Sequence, residues 1–217
     1  MTGDDVTGGA VAGVAGVVLA AGAGRRMGSP KALVTIDGQP LVLRAVAALA
    51  DGGCAHVAAV TGAAAAEVAE VLGRAADVAV LHNRRWASGM GSSVAAGLGW
   101  AATTTAGAVI LLPVDTPGIG PAVVARLIEV WRDGGAPPEG VLAAAYDGRQ
   151  RNPVLLGRRR WSDVADVVEG DEGARRWLRT HPDLVTAVEC GDVGDPRDLD
   201  TPADVDRWVR QQRTARI

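Results

Sequence analysis

The chain has 217 residues, 48% of them apolar and 22% charged, with a formal net charge of −3. That length and composition suit one soluble globular domain, and the charge balance, with no basic stripe, argues against a nucleic-acid binder. No apolar run reaches the roughly 20 residues that a membrane helix needs.

In chain order, residues 1–12 read as a flexible terminus and residues 13–217 as a single domain. Val14–Ala20 is a continuous apolar run, as expected of a buried strand. A glycine-rich loop follows over 21–28, and Pro40 suits the first position of a helix running to about Leu49. His56–Thr61 reads as a strand, 63–73 as a helix and 78–81 as a strand. Beyond a polar loop come a helix over about 92–102 and a strand over 108–112. That strand ends in Pro113-Val114-Asp115-Thr116-Pro117. Pro121–Asp133 reads as a helix closed by Gly134-Gly135. Short apolar runs alternating with amphipathic helices predict a Rossmann-like three-layer α/β/α fold around a mainly parallel sheet. The pattern then changes. Val141–Tyr146 and 153–156 read as strands joined too closely for a helical crossover, so a small antiparallel part is expected there. Helices over 162–168 and 172–180, a last strand Val185–Glu189 and a terminal helix over 202–212 capped by Thr201 complete the reading.

Residues 11–23 are broken by Gly13, Gly16 and Gly22 and preceded by Asp4 and Asp5, a poor signal peptide. Cys54 and Cys190 show neither metal spacing nor a disulfide framework, which suits a reducing cytoplasm; both read as small buried residues. With 29 glycines and no phenylalanine, the core is expected to be built from Ala, Val, Leu and Ile. Of 22 basic residues only Lys31 is a lysine, which points to a position that needs a compact ammonium rather than a planar guanidinium.

The loop reads Leu19-Ala20-Ala21-Gly22-Ala23-Gly24-Arg25-Arg26-Met27-Gly28-Ser29-Pro30-Lys31. It follows the first strand, at the sheet edge where ligands bind in open α/β folds. Its glycines let backbone N–H groups approach phosphate oxygens; a plain strand-to-helix turn is the alternative. A dinucleotide dehydrogenase fits poorly. The third glycine comes one position late, Pro30 interrupts the helix, and Thr61-Gly62 supplies no acidic residue for a ribose. The Walker pattern fails as well, since no Lys-Ser or Lys-Thr follows.

The pattern L-A-A-G-x-G-x-R-M-G-x-x-K resembles the signature of the MobA-like NTP transferase family, nucleotidyltransferases that activate cofactors and sugars. Gly38-Gln39-Pro40-Leu41, Leu112–Pro117 and Asp198-Leu199-Asp200-Thr201-Pro202-Ala203-Asp204 resemble further family segments. Three features are most similar to the molybdenum cofactor cytidylyltransferase group: Asn83 with Gly89-Met90-Gly91-Ser92-Ser93, Asn152-Pro153-Val154-Leu155, and Gly170-Asp171-Glu172-Gly173-Ala174-Arg175. The departure is Arg151-Asn152, where that group has Gly-His. Asn cannot take up a proton near neutral pH, so this departure makes a different acceptor the alternative.

The resemblance implies transfer of a nucleoside monophosphate, CMP from CTP, to a phosphate of molybdopterin, with release of pyrophosphate. GTP as donor or a sugar or alditol phosphate as acceptor are the alternatives within the class, and a non-catalytic nucleotide-binding protein is the alternative outside it. A molybdoenzyme or its chaperone is the implied protein partner. Joining two anions calls for positioning and charge neutralisation. Lys31 is assigned to the α-phosphate and Arg26 to the leaving pyrophosphate, with Arg25 facing solvent. Leu19, Ala20, Ala21, Gly22 and Gly24, with Gly89 and Ser93, are assigned to the nucleotide; for the last two a helix start capped by Ser92 or Ser93 is the alternative. Mg²⁺ is the expected cofactor. Asp115 is either its ligand or a turn residue. Asp198 or Asp200 completes the site, with Asp198 preferred because Asp200 could cap the last helix. Asn152 and Pro153 are assigned to the acceptor.

Overall fold

The computed structural model describes residues 13–75, 77–168 and 170–215. The expected flexible terminus at 1–12 lies outside them.

The first strand, β1 (Val14–Ala20), is buried along its whole length, as its unbroken apolar run requires. A hairpin of β2 (Thr35–Ile36) and β3 (Gln39–Pro40) leads into α1 (Leu41–Asp51). Pro40 therefore precedes the helix instead of opening it, with ψ in the extended region. Then follow β4 (His56–Thr61), α2 (Ala65–Leu72), β5 (Val78–His82), α3 (Met90–Ala101), β6 (Ala108–Pro113) and α4 (Pro121–Asp133). The last third comprises β7 (Val141–Tyr146), β8 (Arg149–Gly157), α5 (Trp161–Val167), α6 (Arg175–Thr180), β9 (Val185–Glu189) and α7 (Pro202–Ala215).

Seven strands form one sheet in the order β5-β4-β1-β6-β8-β7-β9. Every neighbouring pair is parallel except those of β8, which runs antiparallel to both β6 and β7. The hairpin turn is Asp147-Gly148, both with positive φ, as a two-residue turn between twisted strands demands. β8 begins four residues before the expected strand at 153. Its first half is polar and exposed, and only pairing with β7 makes it a strand.

Two apolar layers cover the sheet. One packs α1, α2, α4 and α7 on one face, with Trp131 and Trp208 inside; the other packs α3, α5 and α6 on the opposite face, around Trp161 and Trp177. The core is thus not purely aliphatic. These four indoles are buried and supply the large volume that the missing phenylalanines would otherwise fill. Two of them satisfy their N–H on nearby carbonyls, Trp131 on Pro137 and Trp161 on Leu156. Cys54 and Cys190 are both free and buried, and burial pushes the Cys54 thiol up to about 12. Among the described residues no helix is long and apolar enough to cross a membrane.

Candidate active site

The carboxyl ends of β1, β4 and β6 form one edge of the sheet, and the glycine-rich loop starts there. Leu19, Ala20 and Ala21 are buried, and the Ala21 carbonyl accepts the N–H of Ala63 beyond β4. Gly22 is exposed and Gly24 half-buried. Gly24 has φ +61, and a Cβ there would stand 1.9 Å from the carbonyl oxygen of Ser29, so only glycine allows the loop to fold back this tightly. Its carbonyl accepts the N–H groups of Met27 and Gly28, each at 2.9 Å. Met27 is buried in the core and anchors the loop, while Arg25 and Arg26 stay exposed.

The loop delivers Lys31 to a point between two carboxylates. Its Nζ lies 2.7 Å from Asp115 Oδ2 and 2.5 Å from Asp200 Oδ1, and Arg26 reaches the second oxygen of Asp200 at 3.1 Å. Burial alone would lower the pKa of the Lys31 ammonium, but the two carboxylates outweigh it and the net shift is upward. The hydrogen bond from Lys31 in turn holds Asp200 below the usual aspartate range, against a smaller opposing effect of burial.

The local backbone explains this placement. Asp115 sits just past β6, and the turn role there falls to Thr116, whose hydroxyl donates to the Pro113 carbonyl. The Asp115 carbonyl accepts the N–H of Leu199, which ties the two acidic segments together. Leu199 is buried in the core. Thr201 and Asp204 cap α7 reciprocally: Asp204 Oδ2 accepts the Thr201 N–H at 2.8 Å and its hydroxyl at 2.7 Å, while the Asp204 N–H reaches Thr201 Oγ1 at 3.3 Å. With the cap filled, Asp200 is free to turn to Lys31. Asp198, the preferred ligand on sequence grounds, is exposed and makes no ion pair or side-chain hydrogen bond among the described residues.

The second loop is built around Asn83, which is buried. Its amide donates to Ser92 Oγ at 2.8 Å and Ser93 Oγ at 3.1 Å, and its Oδ1 accepts the N–H of Arg85. Ser93 is buried in this network, and Ser92 also donates to the Gly89 carbonyl. Neither serine caps α3, because the N-cap position is Gly89, which has no side chain to accept the free N–H groups of the first turn. Gly89 has φ +110, and a Cβ on it would lie 2.4 Å from the Gly170 carbonyl oxygen. Two sequence segments far apart in the chain, around Gly89 and around Gly170, therefore form one wall. Nothing local in the sequence joins them, and the glycine in each segment is the only signal. Asn152 and Pro153 lie on β8, where the Asn152 carbonyl accepts the Tyr146 hydroxyl at 3.4 Å and Pro153 is buried.

A cation that touches Asp115 and Asp200 together already marks a point where hard oxygen donors converge. Two carboxylates fit Mg²⁺, which takes one or two of them and completes its shell with phosphates and water. Among the described residues no group of three or more His, Cys, Asp or Glu side chains is placed to hold a metal without such help.

Residues 16–185 match the MobA-like NTP transferase domain. The chain belongs to that family. Nicotine blue oxidoreductase of Paenarthrobacter nicotinovorans is 37% identical over 87% of this chain and 92% of its own length. Molybdenum cofactor guanylyltransferase of Acidiphilium cryptum is 31% identical over 88% and 91%. The crystal structure of Rv0371c of Mycobacterium tuberculosis in complex with manganese superposes with a TM-score of 0.69 at 24% identity, covering 91% of this chain and 98% of that one. That likeness shows the fold alone, in line with the expected α/β architecture of a mainly parallel sheet with an antiparallel part.

Proposed function

We propose that this MobA-like NTP transferase moves a nucleoside monophosphate from a nucleoside triphosphate to a phosphorylated small-molecule acceptor, with Mg²⁺. The observation that carries the reading is the Lys31 ammonium between Asp115 and Asp200, beside the glycine-rich loop.

An oxygen of the acceptor phosphate attacks the α-phosphorus. A new P–O bond forms, the bond to the bridging oxygen breaks, and pyrophosphate leaves with that electron pair. Backbone N–H groups from Gly22 to Gly24 face the phosphates, as the exposed loop permits. Lys31 stays cationic at neutral pH and its flexible stem moves the ammonium from the carboxylates to the α-phosphate. Arg26, exposed at the same edge, takes charge on the departing pyrophosphate. Asp115 and Asp200 are the residues that would hold Mg²⁺, and when bound the ion neutralises phosphate charge. Leu19 to Ala21 and the wall at Gly89 border the base. Ser93 supports that wall through Asn83. Asn152 and Pro153 belong to the acceptor side.

CTP is the donor that the sequence resemblance implies, with molybdopterin as acceptor. The name of the Acidiphilium relative points instead to GTP. Pyrophosphate release assayed with each of the four ribonucleoside triphosphates and Mg²⁺ decides between them. Release with none, in the presence of molybdopterin and of sugar phosphates, would overturn the reading.

The Paenarthrobacter relative favours a second reading, an oxidoreductase that places a nucleotide-containing reductant on the same loop. The absence of an acidic residue after β4 counts against a dinucleotide ribose there. Oxidation of NADH or NADPH by the protein with a quinonoid dye as acceptor, and no pyrophosphate release, would favour that reading.

A further inference from the structure

Asp115 and Asp200 meet at Lys31 because two irregular segments lie against each other. Beyond β6 the chain runs through 114–120 to α4, and beyond β9 it runs through 190–201 to α7. The second segment is a strap laid along the first in the opposite direction. The Asp195 N–H donates to the Gly118 carbonyl at 3.1 Å, and the Leu199 N–H donates to the Asp115 carbonyl at 2.9 Å. One residue after the second bond, Asp200 brings Oδ1 to 2.5 Å from Lys31 Nζ.

A glycine decides how closely the strap approaches. A Cβ on Gly118 would stand 2.6 Å from both the Cβ and the carbonyl oxygen of Asp195, and 2.7 Å from Cη2 of Trp208. The backbone at Gly118 is not left-handed, so close approach alone calls for glycine there. Neither neighbour is free to give way. Trp208 is buried in the core. Asp195 is gripped by Arg197, whose Nε lies 2.9 Å from each of its carboxylate oxygens. The same guanidinium lies over the Trp208 ring, 5.1 Å from its centroid, and bonds to Gln211 on α7. Gly194 repeats the requirement one residue before Asp195, since a Cβ there would collide with buried Val123 of α4.

We infer that Gly118 is a positioning residue for the carboxylate pair: by lacking a Cβ it sets how deeply the strap docks, and so how far Asp200 stands from Asp115 and Lys31. The consequence for Mg²⁺ rests on the nucleotidyltransferase reading; the placement of Asp200 does not. Gly118 acts through Asp200. A methyl group at Gly118 lifts the strap and draws Asp200 away from Lys31, while the sheet keeps its order.

Gly120 supplies the control, because it lies in the same segment and a Cβ there meets nothing within 4 Å. Lys31 is the only lysine of the chain, so peptide mapping separates its acetylation from that of the amino terminus. The rate of Lys31 acetylation at fixed pH is compared in the full chain and in Gly118→Ala, Gly120→Ala and Asp200→Asn. Gly118→Ala is expected to approach the faster rate of Asp200→Asn, with Gly120→Ala within about twofold of the unsubstituted protein. A rate unchanged within about twofold in Gly118→Ala overturns the assignment, whatever its melting temperature does. Should Gly118→Ala fail to melt cooperatively, Gly194→Ala lifts the same strap and is judged by the same criteria. In parallel, the Mg²⁺ concentration for half of the melting shift with CTP or GTP is measured. Gly118→Ala is expected to raise it about 10–100-fold, the usual cost of losing support behind a metal ligand, and Gly120→Ala to leave it unchanged. Faster acetylation with an unchanged Mg²⁺ requirement overturns the link to the metal. No shift with either nucleotide in the unsubstituted protein counts against the nucleotidyltransferase reading, and the acetylation rates alone then decide the role of Gly118.

Discussion

The ammonium of Lys31 lies 2.7 Å from Asp115 Oδ2, although 84 residues separate the two in sequence. The contact joins the glycine-rich loop after β1 to the end of β6, and a second bond carries it to Asp200, 169 residues from Lys31. On the proposed reading the lysine holds the place between the carboxylates that a divalent cation would take, so binding of metal and triphosphate would exchange one cation for another.

That exchange makes Lys31 sensitive to both charge and shape. Lys31→Ala is expected to lower turnover by on the order of 10²–10³, the usual cost of losing one preorganised charge at a transition state. Lys31→Arg is expected to recover less than a tenth of the loss, because a planar fork cannot occupy the same point. Steady-state pyrophosphate release checks both, and near-normal turnover by Lys31→Ala would remove it from the chemistry.

The two candidate acids of the last acidic segment separate cleanly. Asp115→Asn and Asp200→Asn should each raise the Mg²⁺ concentration for half-maximal activity at least tenfold. Asp198→Asn should leave it within about twofold. A Mg²⁺ titration of the three variants reads this directly, and the reverse ranking would return the ligand role to Asp198.

Thr201→Ala tests why Asp200 points inward. Loss of an N-cap costs about 1 kcal/mol, or roughly 2–4 °C for a chain of this size. The same variant should also weaken Mg²⁺-dependent activity, since the reciprocal cap with Asp204 frees Asp200 for Lys31. A drop in melting temperature with unchanged Mg²⁺ dependence would separate the cap from the site.

Acid stability follows from the same residues. Hydrogen bonds from Thr201, then the ion pair with Arg207, pull Asp204 down to about 2, and Lys31 depresses Asp200. A depressed carboxylate stabilises fully above its unfolded pKa, near 4, and that contribution is lost as pH falls through the folded value. The melting temperature should therefore fall between about pH 4 and 2, and Asp204→Asn should flatten the slope there. Lys31 acts at the other end: its raised pKa adds stability that is present below the unfolded value near 10.4 and lost above it. Melting curves from pH 2 to 11 show both limbs.

What the sequence disclosed depended on how local each signal was. β1, β4, β7 and α4 lie where their apolar patterns put them, because each is bounded by Gly, Pro or charged residues and buried on its pattern alone. The first half of β8 was illegible: Arg149 to Asn152 carry no apolar period, and their strand character comes from β7 across the turn. The glycine-rich loop and Lys31 were visible as residues, but the pairing with Asp200 is non-local and could not be seen. Choosing between Asp198 and Asp200 needed the cap, and here a signal was available. Thr201-Pro202-Ala203-Asp204 spells a capping box, which already supplies the helix with an acceptor and leaves Asp200 without that task.

The most direct test of the account is thermal melting with CTP, GTP, UTP and ATP, each with and without Mg²⁺. A nucleotide at about 100 times its dissociation constant adds roughly 2.7 kcal/mol, or about 5–10 °C here. A rise of that size is expected for one nucleotide, present with Mg²⁺ and lost in Asp115→Asn. No rise with any of the four, together with a clear rise on adding NADH or NADPH, would contradict it.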